Sequence, residues 1–310
     1  MNVLDLYVKT YSRLYTQRSS FSHLFSPVRW GVRKLANYHI PHYLSHCRQP
    51  ERHPVCDELI VSLTSFPPRI DNVWQVVECM LRQTVLPSKV FLWLSKEQFP
   101  SMDSIPLSLR ERQNDIFKIR LVDEDLRSHK KYYYVFNENP DKMIVLIDDD
   151  LYYPGDMLES LVNEYKRTPN SVICRYGYVM EYGKDNELKE YSSWKSTLGA
   201  CSSNHFFFGS GGGTLIVPSL LYKDYNNRNL FEKLTPLADD IWLNAMVKLA
   251  GLKIIKLDSG LLCPIFNKNS TPLSRLNVLE NQNDKQIKSI SEYYKERGLN
   301  PFGKNLRRYK

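Results

Sequence analysis

Two acidic clusters carry the chemistry open to this sequence. Asp148-Asp149-Asp150 follows directly on the apolar run Met143-Ile144-Val145-Leu146-Ile147. Such a run reads as a buried strand, and in open α/β sheets ligands lie beyond the carboxyl ends of the strands. Three adjacent carboxylates repel one another, and a hard cation with oxygen ligands, Mn2+ or Mg2+, relieves that repulsion. In extended backbone residues i and i+2 point the same way. Asp148 and Asp150 can therefore face one ligand while Asp149 points elsewhere. The second cluster, Asp239-Asp240, opens the segment Ile241 to Ala250, a predicted helix closed by Gly251. Carboxylates at a helix start are stabilised by free N–H groups and the helix dipole. An N-cap with a first-turn acid accounts for one of them. An ionised partner can take a proton from an attacking hydroxyl.

Two further segments could serve these clusters. Gly209-Ser210-Gly211-Gly212-Gly213 precedes the predicted strand Thr214 to Val217. It matches neither the phosphate loop nor the dinucleotide fingerprint, but it lets backbone approach a ligand closely. His129-Lys130-Lys131 sits early in a predicted helix, Arg127 to Asn139, that leads into the strand before Asp148. Cations there could meet a diphosphate.

The elements that must position these groups are legible from periodicity. Buried strands are predicted at 59–63, 90–94, 119–122 and 143–147, with others at 172–176, 214–217 and 253–257. Val73, Val76, Val77, Met80 and Leu81 fall at helical spacing, and 157–166 forms another amphipathic helix. Strands alternating with helices predict an α/β fold, a mostly parallel sheet with helices on both faces. We divide the chain into a basic amphipathic segment, 1–54, and a main domain, 55–310, with a basic tail.

Composition narrows the class. The chain has 310 residues, 42% hydrophobic and 25% charged, with a net charge of +8. That excludes wholly disordered, collagen-like and coiled-coil chains. No apolar run approaches the ~18 residues of a membrane-spanning helix, and the first residues lack a signal peptide's apolar run. The expected compartment is the cytoplasm. Six scattered cysteines without a C-x-x-C pair predict reduced thiols rather than a zinc or redox motif. The charge is concentrated at the ends. Residues 1–54 carry eight basic against two acidic side chains, a net of +6, and Lys304, Arg307, Arg308 and Lys310 follow at the other end. With Leu4, Leu6, Tyr7, Leu14, Tyr15, Phe21, Leu24, Phe25 and Trp30 between the basic residues, this segment predicts an interfacial helix at the inner face of an anionic membrane. No nucleic-acid partner is expected.

Taken in order, these residues resemble the GT-A glycosyltransferases, particularly the family-2-like inverting enzymes of bacterial surface-polysaccharide assembly. The likeness covers roughly residues 57–265. It rests on the opening strand with Thr64-Ser65, on Ile147-Asp148-Asp149-Asp150 as a DxD motif, on the glycine-rich strand, and on Ala238-Asp239-Asp240 as an "xED"-like motif. The resemblance implies transfer of a hexose-type sugar from a nucleotide-sugar donor to a glycan or lipid-linked acceptor, with Mn2+ or Mg2+ as cofactor. It puts Asp148 at the ribose and the metal, Asp150 at the metal, and Asp240 or Asp239 as the catalytic base. The donor side takes in Thr64, Ser65, Arg69, Asp123, Asp125, Lys130, Lys131, Asp148, Asp149, Gly211 and Gly212, with Lys130 or Lys131 on the departing diphosphate. Many such enzymes add a late His to the metal. Here the last His is His205, so that ligand is missing or is supplied by a residue such as Asn267. Two rival classes are a sugar-phosphate nucleotidyltransferase and a non-catalytic binding module. The first calls for a Gly- and Arg-rich loop after the opening strand, where this chain has Thr64-Ser65-Phe66-Pro67-Pro68-Arg69. The second has no need of two acidic clusters.

Overall fold

A computed structural model describes residues 2–14, 26–47, 53–197, 199–203, 205–267 and 281–304. Tyr15, Arg18, Phe21, His23, Leu24, Phe25, Arg48, Arg52, Arg307, Arg308 and Lys310 lie outside the described residues. Two helices come first, α1 (Val3–Arg13) and α2 (Ser26–His46). There follow β1 (Val55–Thr64), α3 (Val73–Leu81), β2 (Leu86–Ser95), α4 (Leu107–Arg110), β3 (Phe117–Val122), α5 (Lys130–Glu138), β4 (Met143–Ile147), β5 (Leu151–Tyr152), α6 (Met157–Arg167) and β6 (Ser171–Cys174). The later part holds β7 (Gly177–Val179), β8 (Lys195–Ser196), β9 (Cys201–Ser202), β10 (Phe206–Phe208), β11 (Gly212–Ile216), α7 (Arg228–Leu234), α8 (Asp239–Leu249), β12 (Lys253–Lys256), β13 (Cys263–Pro264) and α9 (Gln282–Lys295).

The main sheet has eight strands in the order β3-β2-β1-β4-β11-β6-β12-β9. Six of them run one way, and β11 and β9 run against them. The fold is α/β, a mostly parallel sheet covered on both faces. Alternation along β1 sets the two cores. Leu59, Val61 and Leu63 pack with α3 and α6 on one side, while Ile60 packs with residues of α5 and α8 on the other.

Periodicity alone does not give a strand's direction, and β11 is where this matters. It lies antiparallel between β4 and β6. Its glycine-bearing start therefore meets the carboxyl end of β4, with Gly212 opposite Ile147. A parallel strand would carry those glycines to the far edge. The crossover helices obey the same geometry. α5 ends on the approach to β4 and α8 on the approach to β12, so both begin at the carboxyl edge. At the other end of α8, Gly251 takes a left-handed φ of 67°, with the N–H of Leu252 donating to the Val247 carbonyl at 3.1 Å.

The N-terminal helices pack on this body. Leu4, Val8, Ala36, Ile40 and Leu44 are buried in the same cluster as α3 and α6. Asp5 accepts from the Gly155 N–H at 2.8 Å, and Asn37 donates to the Pro264 carbonyl at 3.0 Å. Arg82 donates to the carbonyls of Leu44 and Cys47 at 3.1 and 2.7 Å, satisfying groups that the end of α2 leaves open. Ile40→Ala should therefore cost about 2–5 kcal/mol, the scale of a core cavity. Tyr38→Ala, at a side chain 75% exposed, should change stability by less than about 0.5 kcal/mol. Urea unfolding of both variants checks this, and equal small effects would mean that α2 is not held by the core.

Candidate active site

The carboxyl edge gathers the chemistry. β1 delivers Thr64-Ser65, β4 delivers Asp148-Asp149-Asp150, and β6 delivers Arg175-Tyr176. The start of β11 adds Ser210-Gly211-Gly212, while α5 and α8 begin with Lys130-Lys131 and Asp239-Asp240. Ser62, inside β1, fixes the entry to α5: its Oγ donates to the Lys131 carbonyl at 2.6 Å and accepts from Trp93 Nε1 at 3.0 Å.

Lys131 ties the two acidic clusters together. Its Nζ lies 2.6 Å from Asp148 Oδ1, 3.3 Å from Asp239 Oδ2 and 3.2 Å from Ser210 Oγ. Burial works against its charge, but Asp148, Asp239 and Asp240 outweigh it and its pKa is raised. Ser210 is the second link. Its Oγ donates to Asp239 Oδ2 at 2.8 Å, and its backbone N–H donates to Asp240 Oδ1 at 2.7 Å. Tyr153 closes the turn from the other side, donating to the Gly211 carbonyl at 2.5 Å and accepting from the Asp148 N–H at 2.8 Å.

The five aspartates have different surroundings. Asp149 is turned into the protein, where Ser65 Oγ donates to it at 2.6 Å and Arg69 Nη1 at 2.8 Å. Burial raises its pKa against the pull of those two groups. Arg69 also reaches Asp150 Oδ2 at 2.9 Å. Asp239 is buried. Burial pushes its carboxyl up, but Lys131, His129 and Ser210 outweigh that and hold it low. Asp240 is half-buried and is pushed up to about 7, by burial first and then by Asp239. The helix cap is neither of the pair: Ala238 is the N-cap residue, and both acids occupy the first turn.

The cleft holds two hollows that share Asp148. One, of about 330 Å³, is lined by Thr64, Ser65, Arg69, Asp125, Lys130, Lys131, Asp148 and Asp149, with Arg127 and Leu237. The other, of about 240 Å³, is lined by Asp148, Tyr176, Arg175, Gly211, Gly212, Asp240 and the 260–262 segment. A larger hollow of about 570 Å³, between α9 and residues 186–190, shares no residue with either. Gly211 is required where it stands, since a Cβ there would lie 1.8 Å from the Asp148 carboxyl carbon.

Several expected residues sit otherwise. Asp123 does not reach the first hollow; its side chain is 84% exposed and pairs with Lys96 at 2.6 Å. Asp125 does reach it, held by Lys130 and by Gln98 at 2.7 Å. Neither lysine is free for a diphosphate. Lys130 is buried against Asp125, and the three hydrogens of the Lys131 ammonium all have protein acceptors. Asn267 accepts from Asn72 at 2.8 Å, and His205 packs on Tyr182. Neither lines a hollow. Ser210, Tyr153, Arg127 and Arg175 are site residues that the sequence did not single out. A serine breaking a glycine run was the available signal for Ser210.

The donor set fits a hard cation. Lys131 takes Oδ1 of Asp148 and Arg69 takes Oδ2 of Asp150, so Asp148 Oδ2 and Asp150 Oδ1 have no partner among the described residues. Among the described residues no group of three or more His, Cys, Asp or Glu can hold a metal. Two carboxylates with ligand phosphates and water are the usual surroundings of Mg2+ at a nucleotide site.

No protein-family model matches the sequence, and no curated protein matches it. Solved structures do. One is the mannosyltransferase PcManGT from Pyrobaculum calidifontis, in complex with GDP-Man and Mn2+. It has 12% identity and a TM-score of 0.44, covering 94% of this chain and 76% of its own. Another is HddC from Yersinia pseudotuberculosis, with 12% identity and a TM-score of 0.33, covering 55% of this chain and 78% of its own.

Asp150 is pushed up to about 7, by burial first and then by Asp148, against Arg69. A carboxyl whose folded pKa exceeds its unfolded value of ~3.9 binds more protons when folded. It therefore lowers stability as pH rises from about 4 to about 7. Asp150→Asn removes that loss. In EDTA, its stability relative to wild type should rise between about pH 5 and about pH 8, by on the order of 1–3 kcal/mol. Comparing the two proteins cancels His129, whose lowered pKa slopes the other way. Urea unfolding across that range decides, and a pH-independent difference would reject it.

Proposed function

We propose that this chain is a metal-dependent glycosyltransferase that moves a sugar from a nucleotide-sugar donor to a hydroxyl of a glycan or lipid-linked acceptor, inverting the anomeric carbon. The observation that supports this most is the joining of the two acidic clusters by Lys131 across two hollows that share Asp148. One hollow suits the donor nucleotide and the other the acceptor, with the reacting atoms between them.

In this reading Thr64, Ser65 and Asp125 line the space for base and ribose. Asp148 and Asp150 would hold Mn2+ or Mg2+, which when bound offsets the charge of the departing diphosphate. Arg127 adds a cation; it lines the donor hollow and has no carboxylate partner among the described residues. Asp240 takes the proton of the acceptor hydroxyl as that oxygen attacks the anomeric carbon and the bond to the diphosphate breaks. It suits the task because it faces the acceptor hollow and its pKa of about 7 lies near working pH. Asp239 suits it less, since Lys131 and Ser210 hold it ionised and buried. Asp239 and Lys131 act together as positioning groups.

Metal-dependent hydrolysis of a panel of nucleotide sugars tests the reading, and no turnover of any donor would reject it. Asp240→Asn should lower turnover by roughly 10²-fold or more, the scale of general-base loss, with donor affinity kept. Asp239→Asn strips a carboxylate from a buried ion pair and should cost about 3–5 kcal/mol of stability. Urea unfolding set beside single-turnover rates separates the two effects. The reverse ranking would transfer the base to Asp239.

The acceptor side of the proposal includes an anionic membrane surface. No helix of the described residues is long and apolar enough to cross a membrane. α2 leaves Val28, Trp30, Leu35 and Tyr38 exposed, and Lys34 lies over the Trp30 ring. Val28, Leu35 and Tyr38 share one helix face, the arrangement of an interfacial helix beside basic side chains. The protein should sediment with phosphatidylserine vesicles and release at high salt. The double variant Leu35→Ser, Tyr38→Ser, changed only at exposed positions of that face, should lose that binding. Undiminished sedimentation by the variant would reject the surface.

A further inference from the structure

Arg175 is the one guanidinium in the second hollow, and no group in the function above uses it. It follows β6 directly at the carboxyl edge. Its stem lies against the glycine run, where a Cβ on Gly213 would come within 3.2 Å of Arg175 Cδ. Its Nε is shut off from water without a hydrogen-bond partner. Among the described residues its guanidinium makes no ion pair. The carboxylate that acts on it most is Asp156, which pairs with Lys9 at 3.5 Å. Burial lowers its pKa. A half-buried guanidinium without a protein partner is costly, and a fold that keeps one commonly has an anion to meet it.

The rest of that hollow suits a sugar. Tyr176 lines it, and Leu151, Leu261 and Leu262 add apolar surface. Asp240 lines it as well. At about 240 Å³ it is smaller than the usual site for a whole ligand, so it takes one unit of a longer molecule. We infer that the acceptor carries an anionic group, a carboxylate or a phosphoryl, on or next to the sugar that presents the attacking hydroxyl, and that Arg175 binds it. The inference deepens the glycosyltransferase reading and rests on it for the word acceptor.

The test is binding to the full chain with Mg2+ and saturating UDP or GDP, so that the donor hollow is filled. The probes are methyl glucuronide, glucose 6-phosphate and neutral methyl glucoside, followed by saturation-transfer NMR and calorimetry. At least one charged sugar should bind tenfold or more tightly than the glucoside, and which of the two does so distinguishes carboxylate from phosphoryl. Arg175→Gln should erase the preference, and Arg175→Lys should keep part of it. The melting temperature of Arg175→Gln should stay level or rise, because an unpaired half-buried charge is removed; a purely structural arginine would lower it. Equal binding of charged and neutral sugars by the wild type would overturn the inference, as would a preference that survives Arg175→Gln. Loss of UDP or GDP affinity in that variant would overturn it too, by assigning the guanidinium to the donor. If neither nucleotide binds the wild type, the glycosyltransferase reading fails on its own, whatever the sugars do.

Discussion

The ammonium group of Lys131 lies out of reach of water between Asp148, Asp239 and Ser210. Taking a charge out of water costs several kcal/mol unless its surroundings are complete, and here all three hydrogens are matched. Much of the surrounding architecture follows from that requirement. α5 must start at the carboxyl edge, which Ser62 secures through the Lys131 carbonyl. α8 must start at the same edge to supply Asp239. β11 must run backwards so that Ser210 arrives between them. Gly211 must lack a side chain so that Asp148 can close against the turn.

The same constraint divides the carboxylates by task. Asp149 and Asp239 have hydroxyl and cationic partners on their inward sides and behave as parts of the scaffold. Asp150 and Asp240 are each crowded by a neighbouring carboxylate and only partly compensated, and both are pushed up to about 7. Environment rather than residue type sets these differences. In the proposed reading this pair, pushed up by burial and repulsion, meets a cation at one position and a proton at the other. Asp149 lines the first hollow and Asp240 the second, with Asp148 common to both.

Much of this was legible from residue types alone. An apolar run ending in acids located β4, an acid pair opening a helical segment located the start of α8, and strand–helix alternation gave the layered sheet. Three features were not legible, each for a physical reason. Strand direction leaves no trace in an apolar run, so the reversal of β11 was invisible, and with it the role of its glycines. Partners distant in sequence leave none either. The Lys131 side chain reads as a solvated base or a phosphate ligand until Asp239, 108 positions later, is seen to meet it. Arg175 and Tyr176 were absorbed into a strand predicted over 172–176, whereas β6 ends at Cys174 and releases both into the cleft. Asp123 and Asp125 are alike as sequence. Only the fold separates them: Asp125 accepts from the Arg127 N–H at 3.0 Å and from Gln98 at 2.7 Å, while Asp123 stays on the surface with Lys96.

Lys131 and Arg175 stand on either side of Asp148, and their contrast bears on what the cleft does. Lys131 is buried and Arg175 half-buried in one small region. The lysine is saturated by protein acceptors, while the arginine has none among the described residues. Desolvation disfavours both, and only the lysine recovers the difference within the fold. A neutral residue at 175 could pack against Gly213 and Tyr176 without that penalty. In the proposed reading the cost is borne for something that enters the cleft, on the side that Asp240 lines. An anionic acceptor would complete the arginine as Asp148 and Asp239 complete the lysine. It would also add its charge beside Asp240, which raises that carboxyl further and strengthens it as a proton acceptor.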